Sequence, residues 1–213
     1  MARRRVAKRR EGNEIEFSRI VAFSDGVFAI AITLLVLNLG IAKDLASDEV
    51  ADALWDQREN LLAFVVSFAV IGRFWLVHHR FFGDVVAFDS KLIGLNLLYL
   101  GWIVLLPFSS EVLGEYGDTT AGVVLYSVNL VAIVVIGGWM AASARRDGLT
   151  SIDEQSGREY RARWIFIASV FLFSIPVAVF SPTAATFLWL VLFFDPAGRI
   201  ASQLTGTGAS PRR

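Results

Sequence analysis

Six apolar runs, each close to the length of a bilayer-spanning helix, constrain this chain more than any other feature. A spanning helix takes about 20 mostly apolar residues. The runs are Phe17–Leu39, Leu61–His79, Leu92–Pro107 (extending toward Leu113), Ala121–Ala144, Trp164–Phe180 and Thr183–Ile200. They are too long for barrel strands and do not alternate in and out, so helices are the expected form. Composition agrees, with 55% hydrophobic and 19% charged residues and a mean hydropathy of +0.56. A soluble domain carries about 25% charge. This argues against an ordinary soluble enzyme and excludes a disordered chain.

Twenty Lys+Arg balance 20 Asp+Glu, so no basic excess points to nucleic acid. The absence of cysteine removes disulfides, thiol catalysis and Cys-ligated metals. The charges are sorted along the chain. Residues 1–19 hold seven Lys/Arg and the segment 145–163 holds five, whereas residues 40–60 hold only Lys43 and Arg58 against six acids. Glu111–Asp118 has three acids and no base. Lys/Arg accumulate on the cytoplasmic side, which predicts six spans with both termini cytoplasmic. The expected fold is therefore an all-α, polytopic protein of the cell (inner) membrane. It comprises a basic N-terminus (1–16), a six-helix membrane domain (17–201) and a tail (202–213), with residues 1–10 and 202–213 expected to be disordered. The first run is too long for a cleaved signal peptide and is expected to stay as a span.

Ionisable groups at membrane depth are costly and mark function by default. Counting 1.5 Å per residue from each cytoplasmic edge puts Asp25 and Arg73 about 10 Å deep and Asn96 about 8 Å deep. His78 and His79 lie nearer the edge. Polar groups from the first three helices, Ser24 among them, thus share one layer. That layer reads either as a hydrogen-bonded brace locking the helices together or as a proton or ion relay. A His–Asp metal site is a third reading, but no further carboxylate lies at that depth. Beyond Asp25 the first helix is uncharged up to Lys43, and Val27, Ile30, Thr33, Leu34 and Leu37 fall on one side of it.

The segment Arg19-Ile-Val-Ala-Phe23-Ser24-Asp25, followed by GVFAIAITLLVL, resembles the RxxxFSD signature of the transmembrane protein 175 family of potassium channels. The likeness continues in WLVHHRFF (Trp75–Phe82) and NLLYLGWIVLLPFSSEVLGEY (Asn96–Tyr116). The signature occurs once, as in prokaryotic members, which are six-span subunits that assemble as homotetramers. The resemblance implies that four copies of the first helix line a pore constricted by Ile30, Leu34 and Leu37, with Thr33 supplying a hydroxyl layer. Arg19, Phe23, Ser24, Asp25, Trp75, His78, His79 and Asn96 would form the network behind it. Arg73 is counted in that network as well, with Asp25 expected to pair with Arg73, His78 or His79, although Arg73 departs from the family pattern in the second helix. The implied function is passive potassium conduction with no cofactor and no metal, the partners being the lipid bilayer and other copies of the chain.

Other classes fare less well on the residues. A proton-coupled transporter using Asp25 and the histidines lacks an inverted repeat or paired broken helices. An enzyme would have only Ser24-Asp25 with His78 to work with, and no nucleophile elbow or metal set supports that trio. No TVGYG-like carbonyl filter and no arginine-rich voltage sensor occur in the sequence.

Overall fold

The charged stretches that bound each apolar run are where the helices stop. A computed structural model describes residues 7–40, 45–152, 154–189 and 191. Its helices are α1 (Glu14–Leu34), α2 (Val50–Asp56), α3 (Arg58–Gly83), α4 (Ser90–Val104), α5 (Leu106–Tyr116), α6 (Thr120–Arg146), α7 (Glu154–Phe180) and α8 (Pro182–Leu188). A 3-10 turn, Leu35–Asn38, prolongs α1. Four stretches are long and apolar enough to cross a membrane: Glu14–Asn38, Arg58–Gly83, Ser90–Tyr116 and Thr120–Arg146. They coincide with the first four expected runs, each extended by a few polar residues. The fifth run, Trp164–Phe180, is the apolar part of α7. Most of the sixth run lies outside the described residues, as does the tail 202–213. What is described of the sixth run is α8, whose N-cap Ser181 accepts a bond from the Ala184 amide ahead of Pro182.

The third run is two helices. Pro107 lacks an N–H and sits in the first turn of α5, so the ladder breaks at Leu105. α4 begins on the Asp89 side chain, which accepts from the Leu92 amide at 2.8 Å. Thr119 caps α6 in the same way through the Gly122 amide.

α6 packs against α4, α5 and α7, while α1 lies against α3 and α4. The core between them includes Phe28, Ile71, Tyr99, Ile103, Leu130 and Ile133. Small residues bring the backbones close: a Cβ on Gly114 would strike Asn60 and Ala63 of α3. Three buried polar pairs tie α6 to its neighbours: Ser67 of α3 with Tyr126, Ser109 of α5 with Asn129, and Ser127 with Ser174 of α7, all at 3.0 Å. In lipid, where apolar surfaces are no driving force, such bonds add about 0.6 kcal/mol each.

One end of the bundle holds an unexpected element. Lys8–Arg9 (β1) pairs antiparallel with Ala87–Phe88 (β2), Lys8 opposite Phe88 and Arg9 opposite Ala87. Val85 forms a bridge to Thr150. Residues 8–10 are thus ordered where disorder was expected, because the α3–α4 loop offers a free strand edge. A second apolar cluster, with Phe17, Phe82, Val85, Phe88, Leu92 and Leu149, seals this end. It gathers the N-terminus, the α3–α4 loop and the α6–α7 loop on the same side.

Candidate functional site

The buried face of α1 carries a chain of hydrogen bonds. Ser24 lies one helical turn above Ile20 and donates to its carbonyl at 2.9 Å. The Asn96 amide of α4 donates to Ser24 Oγ at 2.9 Å, and the Asn96 carbonyl oxygen accepts from His78 Nε2 of α3 at 2.8 Å. Ser24, Asn96 and His78 are 0%, 1% and 3% exposed. Three helices therefore meet in one head-to-tail chain, with each link polarising the next.

Aromatic rings hold the imidazole in place. His78 stacks on Phe82 with centroids 4.5 Å apart and on Tyr99 at 5.7 Å, with Phe28 tilted beside it at 5.4 Å. Sequence reasoning passed over these three rings, although helical spacing pointed to them. Phe28 and Phe82 lie four residues beyond Ser24 and His78, and Tyr99 three beyond Asn96, so each shares a helix face with its polar neighbour.

Asp25 sits at the edge of that face and takes a different partner. Its Oδ1 accepts from the Trp75 indole at 2.9 Å, and Trp75 in turn lies against His79 with ring centroids 5.4 Å apart. Arg73, at similar depth, is on the exposed side of α3. Asp25 and Arg73 make no ion pair with each other; an indole N–H, neutral and nearby, supplies the donor instead. Arg19 and Phe23 are also exposed, Phe23 by 55%. The expected layer thus splits into a closed His78–Asn96–Ser24 chain, a separate Asp25–Trp75–His79 group, and Arg19, Phe23 and Arg73 outside both. Among the described residues no three His, Asp or Glu side chains converge as a metal site.

The opposite face of α1 is uncovered. Ile30 is 61% exposed, Leu34 39% and Leu37 73%, whereas Phe28, Ala31 and Leu35 between them are buried. In the 3-10 turn, with three residues per turn, Leu37 falls directly over Leu34. Thr33 is also on the exposed side, and its hydroxyl donates to the Ile30 carbonyl at 2.9 Å. At the far end Asn38 donates to the Pro107 carbonyl at 3.1 Å, tying the end of α1 to the kink before α5.

Known proteins resemble this chain in sequence and in fold. The family model described as endosomal/lysosomal potassium channel TMEM175 matches residues 19–107. That range contains every residue of the two polar groups and of the uncovered face. A potassium channel of Streptomyces collinus is 41% identical over 124 residues, 56% of this chain and 60% of that protein. One from Chamaesiphon minutus is 42% identical over 103 residues, 47% of this chain and 51% of that protein. The chain thus spans between half and two thirds of these relatives' length. The crystal structure of a lysosomal potassium-selective channel TMEM175 homolog from Chamaesiphon minutus superposes with a TM-score of 0.71 at 29% identity, covering 83% of this chain and 94% of that one. By its signature block, within residues 19–107, and by its helix arrangement, the chain is similar to the TMEM175 family.

Proposed function

We propose that four copies of this chain form a potassium-permeable channel in the cell membrane, with α1 of each copy lining a central pore. One observation carries the reading: the uncovered face of α1 presents Ile30, Leu34 and Leu37 in register, on a helix whose other face is braced by buried hydrogen bonds. Lipid covers exposed apolar residues on the other spans, such as Leu62, Val65 and Phe173; this stripe is set apart by lying within residues 19–107, the stretch matched by the TMEM175 channel family. A fourfold ring of α1 helices covers it.

In such a ring Ile30, Leu34 and Leu37 form apolar constrictions that offer a cation no oxygen and so close by dewetting. Thr33 behaves differently. Its proton is engaged by the Ile30 carbonyl, which leaves the oxygen lone pairs free to meet a cation just beside the first ring. Widening the rings lets a partly hydrated ion through, and potassium surrenders water more easily than sodium. The polar layer stays behind the pore wall as a brace, since its donors and acceptors are engaged with one another. The membrane domain takes its sixth span from residues 183–200, and the basic end, with both termini, faces the cytoplasm. Clustering of the N-terminus with the α3–α4 and α6–α7 loops supports that orientation.

Planar-bilayer recording in asymmetric potassium and sodium tests the proposal. A current whose reversal potential moves toward the potassium equilibrium value is expected. An absence of current, or a flux that saturates and follows a proton gradient, overturns it.

A further inference from the structure

Away from α1, a partly open cleft runs between the end of α6 and the start of α7. From Gly137 to Arg145 it extends about 12 Å along α6. Its deep end is apolar: the Trp164 ring lies over Gly137 and Gly138 and meets Tyr99 there. Its mouth carries Arg145 and Arg161, and among the described residues the lining holds no carboxylate. Arg145 is half-buried, folded over Gly157 so closely that a Cβ on that glycine would strike the guanidinium. Its neighbour Arg146 pairs with Asp147, but Arg145 makes no hydrogen bond or ion pair among the described residues. Among the described residues no anion lies beside this half-buried guanidinium, and one would complete its bonding.

We propose that this cleft seats an anionic phospholipid, its phosphate between Arg145 and Arg161 and the start of an acyl chain along the open side of Trp164, Ala141 and Ile152. The reading rests on the proposal above that these helices span a bilayer with this end at the cytoplasmic leaflet. Arginine suits phosphate, since its planar fork donates two bonds at once. A free phosphate ion would satisfy the arginines equally well but has no use for the apolar wall. Arg145, in the last turn of α6, sits at headgroup level. His78, whose ring holds Asn96 and through it Ser24 of α1, borders the inner end of the same cleft but is 3% exposed, so the occupant stops short of it.

Native mass spectrometry of the full chain tests this, with release from phosphatidylcholine nanodiscs that contain a minor share of phosphatidylglycerol. Wild-type protein is expected to retain phosphatidylglycerol well above its bulk proportion. Arg145→Gln and Arg161→Gln lose that enrichment, while Arg146→Gln, with the same change in charge on the next residue, keeps it. Gly157→Ala, which displaces the Arg145 guanidinium without altering charge, lowers retention and serves if the arginine variants fail to fold. Unchanged retention in all three cleft variants overturns the proposal. So does equal loss in Arg146→Gln, which would make the effect diffuse, or displacement by millimolar inorganic phosphate, which would make the ligand a free ion. Potassium current in pure phosphatidylcholine bilayers is read separately. Current without lipid retention defeats this inference alone, and retention without current defeats the channel alone.

Discussion

The Trp75 indole donates to Asp25 at 2.9 Å, and this bond, not an ion pair with Arg73, satisfies the carboxylate in the first helix. Trp75→Phe removes the donor and keeps the ring. Leaving a partly buried carboxylate without its bond costs about 1–3 kcal/mol, so thermal unfolding in detergent should move down accordingly. Arg73→Gln should leave the midpoint nearly unchanged. An equal drop in both variants would mean that Arg73 holds Asp25 after all.

Asn96 is the middle link of the buried chain, and its loss affects two partners. Asn96→Leu, close in size, leaves His78 Nε2 without its acceptor and removes the bond Ser24 Oγ accepts, although Ser24 still donates to Ile20. At about 1–3 kcal/mol for an orphaned group, it should destabilise more than Ser24→Ala, which removes one terminal link. Denaturant or heat titration of both variants checks the order.

The two faces of α1 should answer truncation differently. Leu34→Ala and Leu37→Ala widen the proposed constriction and should raise the resting potassium current. Leu35→Ala, at a site 0% exposed, should cost about 2–5 kcal/mol of stability without that rise. A matching current increase from Leu35→Ala would sever the link between exposure and gating.

Acidification should weaken the tie between α4 and the α6–α7 loop. The hydrogen bond from Lys91 to Asp147, at 2.8 Å, is the main cause holding this carboxyl below the usual carboxylate range, with Arg146 assisting. Because the folded value is the lower one, the stabilisation is complete above the unfolded value, about 3.9, and fades as pH falls through the folded value. Lys91→Met should therefore lower the melting temperature at pH 7 and converge on wild type in strong acid. A gap that persists at low pH would contradict the assignment.

Neighbouring glycines in α6 should respond with opposite signs. A Cβ on Gly137 would lie 2.7 Å from the Trp164 ring and 3.1 Å from Tyr99, whereas one on Gly138 meets Trp164 at an ordinary 3.5 Å. Gly137→Ala overpacks two rigid rings at about 1–3 kcal/mol. Gly138→Ala should gain about 0.4–1 kcal/mol by restricting the unfolded chain. Paired melting curves decide between these signs and a uniform response.

What could be read from the sequence follows from the range of the forces involved. Span lengths depend on local hydropathy, and Phe17–Leu39 or Ala121–Ala144 are within a few residues of the helices observed. The break at Leu105 was less visible, because Pro107 fits equally well as an end or as a new first turn. Pairing of Lys8–Arg9 with Ala87–Phe88 depends on two segments far apart in the chain meeting at one edge, and nothing in either segment announces it. The depth count put Ser24 and Asn96 at one level and His78 nearer the edge, whereas hydrogen bonds join all three. It could not choose between Arg73 and Trp75 for Asp25, since depth carries no information about which way a side chain turns.

The short strand at Lys8–Arg9 and the Asn38–Pro107 bond fasten α1 at its two ends to different parts of the bundle. A rod held at both ends cannot slide along its axis or swing out as a free lever. It can twist or bow in the middle, where Ile30 and Leu34 sit. On the proposed channel reading, these two attachments favour torsion of the apolar stripe over sliding of the whole helix.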